Sequence, residues 1–295
     1  MYVNATGKVS FDHIYTQPDP RAYFSTLRGL GYCIPQLAKP YFMQLIQEYR
    51  ASQRVPAPSV VDIGCSYGIN AALLKCDATM DELYDRYCGA DAAALTRGTL
   101  LARDRELVRS RNRRKFARFV GLDVSGAALS YALTAGFIDG AVHADLEARY
   151  LTEGERAQFA GPDLVISTGC LGYVSDKTIL RVVGANGERK PWMAHFVLRM
   201  FPFEPVAESL AGLGYETAAL ERTFKQRRFA SPQERELILD TLSSVGADPS
   251  GLEADGWLYA RLYVSRPRRT TGCAVVDLAA NRESPRSRRE RGLRI

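Results

Sequence analysis

The sequence predicts an α/β domain with a mostly parallel sheet, preceded by an N-terminal helical cap. Three observations predict it. Short runs of branched apolar residues alternate with helix-patterned segments from residue 59 to residue 214, the pattern of strand–helix–strand crossovers. The first run passes straight into a turn of small residues, VVDIGCSYGIN at 60–70. Acids close the first three runs, Asp62, Asp123 and Asp145, at the strand ends where open parallel sheets bind ligands.

Residues 1–55 read as the cap. FDHIYTQPDPRAYF (11–24) holds two prolines and several aromatics and is expected to be an ordered loop. AYFSTLRGLGYC and KPYFMQLIQEYRAS are expected to be short helices, the second with Pro40 near its start. RVPAPS is a proline-bounded connector into the first strand, SVVDIG (59–64), and INAALLKC is the helix after it. FVGLDVS (119–125) is a second strand, GAALSYALTAG (126–136) its helix, GAVHADL (140–146) a third strand and PDLVISTG (162–169) a fourth. SDKTILRVVG is a helix with Ser175 in the N-cap position. AHFVLRMF (194–201) is a fifth strand, and EPVAESLAGLG is a helix closed by Gly212 and Gly214. YETAALER (215–222) and GWLYARLYVSR (256–266) are two late strands. The main domain is thus expected over 56–266, with helical insertions at about 77–118 and 223–255.

Charge and composition narrow the function. The net charge of +6 arises in residues 266–295, which carry nine arginines and three acids, so the rest of the chain is neutral. That basic segment, 267–295, has little apolar periodicity and is expected to be a disordered tail. Residues 103–118 carry eight basic and two acidic side chains, expected as a solvated helix face. A neutral body argues against nucleic acid as the partner. No apolar run approaches the ~20 residues that span a bilayer, and the first residues lack a signal-peptide layout. A cytoplasmic enzyme with no membrane contact, monomeric or homodimeric, is the expectation. The six cysteines form no Cys-x-x-Cys pair, and His13, His143 and His195 are far apart, so no metal site is expected. His143 and His195 fall within strands and are expected to be buried.

The small-residue turn discriminates between nucleotides. A dinucleotide fingerprint needs glycine at three positions that here are Gly64, Ser66 and Ile69, and the third fails. A phosphate-binding loop also fails, because no Gly-Lys-Ser/Thr follows. Small residues instead fall at 64, 66 and 68, directly after Asp62.

The pattern Asp-x-Gly-x-(Gly/Ser)-x-Gly after two valines resembles motif I of the class I S-adenosylmethionine-dependent methyltransferases, and the resemblance extends over residues 56–266. It implies a Rossmann-like seven-stranded methyltransferase sheet whose last two strands form an antiparallel closing pair. It implies S-adenosylmethionine as cofactor, held by Asp62, Gly64, Cys65, Ser66 and Gly68. Asp123, with Val124 beside it, would bind the ribose hydroxyls. Asp145 would meet the adenine amine, with Leu146 packing nearby. Thr168 lies in STGCLGYV (167–174), the region that would line donor and acceptor. Two departures stand out: Ser66 replaces the usual middle glycine, and a long helical insertion separates Gly68 from Asp123.

Catalytic side chains are harder to read, because methyl transfer depends mainly on positioning. Tyr15 in the cap is the first candidate for a donor or substrate contact, with core packing of the cap as its alternative. Tyr173 in the loop after the fourth strand is a second, and His13 a candidate base. Cys170 has no adjoining histidine and is not expected to be a nucleophile. Arg199 and Phe203 are placed to face an acceptor. The leading function is methyl transfer from S-adenosylmethionine to a small metabolite at an N, O or C atom. One alternative uses the same sulfonium for intramolecular cyclisation releasing methylthioadenosine. Another is modification of nucleic acid or protein, although the Asn/Asp-Pro-Pro-Tyr/Phe signature is absent after the fourth strand.

Overall fold

The structure, a computed structural model, describes residues 11–111, 116–159 and 161–268. The basic tail beyond 268 and the NRRK segment at 112–115 lie outside the described residues.

The chain opens with a single helical turn, α1 (Asp12–Tyr15), then α2 (Arg21–Gly29) and α3 (Ile34–Gln53). Residues 12–15 were expected in a loop and are helical. α3 begins six residues before Pro40, with Pro35 in its first turn, so Pro40 lies inside the helix rather than near its start. β1 (Ser59–Ile63) leads into α4 (Ile69–Lys75). The expected insertion supplies α5 (Met80–Cys88), α6 (Ala90–Ala94) and α7 (Arg97–Arg111). α5 starts on a capping box, in which Thr79 and Glu82 exchange side chain–backbone bonds. The insertion is not purely a solvated face: Asp104 on α7 is fully buried and accepts hydrogen bonds from Tyr87 (2.7 Å) and Tyr131 (2.6 Å).

The sequence then runs β2 (Arg118–Asp123), α8 (Gly126–Ala135), β3 (Gly140–His143), α9 (Glu153–Phe159), β4 (Leu164–Thr168), α10 (Asp176–Gly184), β5 (Trp192–Leu198) and α11 (Glu204–Gly212). Ser175 caps α10 as expected, accepting from the Lys177 N–H at 3.2 Å. β6 (Tyr215–Arg228), α12 (Pro232–Ser244) and β7 (Trp257–Pro267) complete the fold. β6 runs six residues beyond the expected strand, into the segment read as an insertion.

All seven strands form one sheet in the order β3-β2-β1-β4-β5-β7-β6. β1 to β5 are parallel, and β7 lies antiparallel to both β5 and β6. This is the seven-stranded Rossmann-like methyltransferase arrangement with its antiparallel closing pair. The direction of winding reverses between β1 and β4, which puts the ligand crevice at their carboxyl ends.

Strand periodicity divides the core into two layers. Val60, Phe119, Leu164, Ile166, Ala194 and Phe196 face a cluster that includes Phe24 and Phe42 from the cap. Their immediate neighbours Val61, Val120, Val165, Met193 and Val197 face the opposite cluster, under α10 and α11. The cap therefore belongs to the main core and covers one face of the sheet. Among the described residues no helix is long and apolar enough to cross a membrane, and no group of potential metal ligands occurs.

Candidate active site

A cavity of about 380 Å³ opens at the carboxyl ends of β1, β2, β3 and β4. Its floor is the turn after β1. Gly64 takes φ +68°, and a side chain there would meet the Cys170 Cβ at 2.7 Å, so the two strand-exit loops touch only because residue 64 is glycine. Ser66 also adopts left-handed backbone, at φ +49°. The departure from glycine at this position is thus accommodated under strain. The turn is held by Asp123, whose carboxylate accepts the Ser66 N–H and the Ser125 N–H, each at 2.8 Å. Burial raises the Asp123 carboxyl, and the backbone N–H groups of Ser125, Ser66 and Val124 oppose it.

The expected residues separate into two groups. Gly64, Cys65, Ser66, Asp123, Val124, Asp145, Leu146, Thr168, Tyr15 and Tyr173 all line the cavity. Asp145 is exposed at the mouth, two residues past the end of β3, and its Oδ1 accepts the Glu147 N–H at 2.9 Å. Tyr173 stands at the rim, 46% exposed. Asp62, Gly68 and His13 are not among the lining residues. Asp62 lies one step inside β1, opposite Gly121 rather than Asp123, so its side chain sits behind the turn, 1% exposed. Gly68 caps α4 and packs toward Ala132 and Phe137. His13 is on the exposed side of α1.

Three further expectations are corrected. Arg199 does not face the acceptor: it pairs with buried Glu253 and donates to the Asp248 carbonyl at 2.8 Å. Phe203 is buried, stacked on Tyr263. His143 is exposed at the end of β3, its Nε2 2.9 Å from the Val124 carbonyl. His195 is fully buried, with Nδ1 2.8 Å from Ser167 Oγ, and burial pushes it down to about 3. Cys170 lines the cavity, but burial pushes its thiol up to about 12, which removes the thiolate.

Asp62 nonetheless organises the floor. Both its oxygens accept from Asn70 Nδ2, at 3.1 and 3.3 Å, and the same Nδ2 lies 3.1 Å from Thr168 Oγ1. Burial raises the Asp62 carboxyl to about 7, against the Asn70 hydrogen bond that lowers it. Asn70 was missed in the sequence. Its signal was a polar residue in the apolar run INAALLKC, one position into the helix. Asn70 Oδ1 and Ser66 Oγ are buried lining atoms without a hydrogen-bond partner among the described residues, as expected of atoms that await a ligand.

The roof comes from the cap and from β6: Phe11, Tyr15, Tyr23, Leu27, Tyr32 and Pro35, then Gln226 and Arg227. Tyr67 in the floor turn donates to the carbonyls of Ile14 (3.0 Å) and Gln17 (2.9 Å), and Ser125 Oγ donates to the Tyr15 carbonyl at 2.6 Å. These bonds tie the cap to the floor. Burial pushes the phenols of Tyr15, Tyr23 and Tyr32 far up, so each is held protonated. Arg227, the one basic side chain among the described lining residues, is paired with buried Glu234 through two bonds of 2.8 and 2.6 Å.

No family model and no curated protein matches the chain. Solved structures do. A magnesium protoporphyrin IX methyltransferase from Synechocystis PCC 6803, crystallised with bound SAM, is 13% identical over 76% of each chain, with a TM-score of 0.37. The plantazolicin methyltransferase BpumL in complex with SAH is 12% identical over 90% of this chain and 95% of its own, with a TM-score of 0.41. The cyclase SpnF is 13% identical over 76% of this chain and 80% of its own, with a TM-score of 0.36. Likenesses this distant carry no weight for ligand or activity.

Proposed function

We propose that the cavity binds S-adenosylmethionine and that the protein transfers its methyl group to a small-molecule acceptor. The observation that carries this reading is the rim itself. Two carboxylates, Asp123 and Asp145, stand beside a small-residue turn, and the one basic side chain among the described lining residues is neutralised by Glu234. A phosphate-bearing nucleotide would meet repulsion here, whereas a sulfonium nucleoside with an ammonium group meets favourable charge.

The bound donor would supply a methyl group made electrophilic by the sulfonium. The chain's residues hold it. Asp123 is fixed by two backbone N–H groups and offers its remaining lone pairs to the ribose hydroxyls. Asp145 reaches the adenine amine, and buried Leu146 packs beside the ring. Ser66 Oγ and Asn70 Oδ1 offer acceptors to the ammonium. Tyr15 from the cap and Tyr173 from the loop after β4 line the reacting end, where aromatic faces favour a cation. The cap excludes water, and orientation of donor against acceptor contributes most of the acceleration. The protonated phenols can donate hydrogen bonds but do not serve as bases, which suits an acceptor that arrives with its lone pair free.

Calorimetry with S-adenosylmethionine and S-adenosylhomocysteine tests the reading, followed by mass analysis of the sulfur product after incubation with candidate metabolites. Micromolar uptake and release of S-adenosylhomocysteine are expected. Release of methylthioadenosine from S-adenosylmethionine alone would reassign the reaction to intramolecular alkylation, and no uptake of either compound would overturn the donor site.

A further inference from the structure

Gln226 is a roof side chain whose chemistry the donor site does not absorb. It lies on β6 where the pairing with β7 slips: Lys225 is opposite Tyr259, yet Arg227 is opposite Leu258. Gln226 is the extra residue of this bulge, and a bulge re-aims a side chain out of the normal alternation. The backbone there is fixed from the cap, since the Cys33 N–H donates to the Gln226 carbonyl at 2.9 Å and the Arg228 N–H to the Leu30 carbonyl at 2.7 Å. The side chain is 5% exposed, lines the cavity, and carries an Oε1 with no hydrogen-bond partner among the described residues. Its Nε2 rests on the loop after β4, so close that a side chain on Gly169 would meet it at 2.4 Å. A buried amide oxygen left unsatisfied costs free energy until a donor reaches it.

We infer that Gln226 is the residue that selects the acceptor, and that the subsite takes a small uncharged molecule presenting an N–H or O–H between the tyrosine rings of the cap. This deepens, and rests on, the reading of the cavity as a methyl-transfer site. Three features give the class. The unspent group is a neutral acceptor atom, which calls for a donor hydrogen. Anionic acceptors find no free cation, because the Arg227 guanidinium is already held by Glu234 in a two-bond pair, and the rim carboxylates Asp123 and Asp145 oppose them. The surrounding surface is aromatic, from Phe11, Tyr15, Tyr23 and Tyr32, which favours a flat apolar body.

The test uses the full chain and simple probes, read by saturation-transfer NMR with and without S-adenosylhomocysteine. Benzamide, toluene and benzoate supply the same ring with a neutral N–H donor, no polar group and an anion. Benzamide is expected to bind at least tenfold more tightly than toluene, and benzoate not at all. Gln226→Leu should bring benzamide down to the toluene level while leaving affinity for toluene and S-adenosylhomocysteine within twofold. Gln226→Glu, which preserves shape if the leucine variant does not fold, should bind benzylammonium at least tenfold more tightly than the parent does. Undiminished benzamide binding in Gln226→Leu, preferred binding of benzoate, or no binding of benzamide to the parent would each overturn the inference. A tenfold loss of S-adenosylhomocysteine affinity in Gln226→Leu would overturn it too, by assigning the amide to the donor. Failure of the parent to bind S-adenosylhomocysteine would sink the donor reading and with it the acceptor role, and the probe series without that compound would still show separately whether Gln226 recognises a neutral N–H.

Discussion

The floor and the roof of the cavity are built in opposite ways. The floor comes from strand exits that the sheet already holds in register, and its two rim acids are held in place by neighbouring backbone. Asp123 accepts from Ser66 and Ser125, and Asp145 accepts from Glu147. The roof is assembled from segments some two hundred residues apart, α1–α3 and the β6 bulge, and its polar groups are either locked in a pair or unspent. A floor fixed before any ligand arrives suits a constant donor. A roof with an open hydrogen-bonding position suits the variable partner.

The most damaging substitution should be Asp123→Ala. Hydrogen bonds to a charged group contribute about 1.5–3 kcal/mol each, and two ribose hydroxyls are at stake, so S-adenosylmethionine affinity should fall on the order of 100-fold or more by calorimetry. A change below threefold would break the assignment of floor to donor.

Asp62 distinguishes scaffold from lining within the floor itself. Its carboxyl is raised by burial to about 7, above the usual unfolded value of about 3.9. The folded state therefore binds the extra proton between these values, and stability is full below about pH 4 and declines as pH rises toward 7. Asp62→Asn removes that slope. Its melting temperature relative to the parent should climb from pH 4.5 to pH 7.5, by about 2–3 kcal/mol of stability or roughly 5 °C. A cationic donor bound nearby should draw Asp62 back toward ionisation and narrow the gap. A gap that stays level across pH would show that Asp62 is ionised behind the turn.

The separation between floor and roof also explains what the sequence disclosed. VVDIG and FVGLD were legible because one strand and its terminal acid lie in a single contiguous motif. The limit of that logic is Asp62: an acid one residue inside the strand points between layers, whereas one at the strand end, Asp123, reaches the rim. Gln226 and Arg227 were illegible for a related reason. Strand alternation would send adjacent residues to opposite faces, and both fall in the segment 223–255 expected as a helical insertion. The bulge breaks the alternation and brings both to the cavity. Helix α9 was passed over although Thr152 and Glu155 form a legible capping pair.

Gly169 is where floor and roof meet. It takes φ +74°, and an added methyl would strike Gln226 Nε2. Gly169→Ala should displace the amide and lower methyl transfer about tenfold, or about 1.4 kcal/mol, while S-adenosylmethionine affinity changes less than threefold. Loss of donor affinity equal to the loss of turnover would erase the distinction between the two surfaces.

The smallest effect should come from Ser66→Gly. Serine in left-handed backbone at φ +49° is strained by about 1–2 kcal/mol, and its buried Oγ has no partner among the described residues. Glycine relieves both but adds about 0.5–1 kcal/mol of unfolded-state entropy. A net gain of about 0.5–1 kcal/mol should raise the melting temperature by about 1–3 °C. If the strain exists because Ser66 Oγ serves the donor, affinity for S-adenosylmethionine should fall about threefold in the same variant. Stability would then rise as binding weakens, and that opposition marks a strained residue kept for its ligand. A variant that is both less stable and equally tight would show that the serine hydroxyl supports the turn instead, and the floor would lose one of its two unspent acceptors.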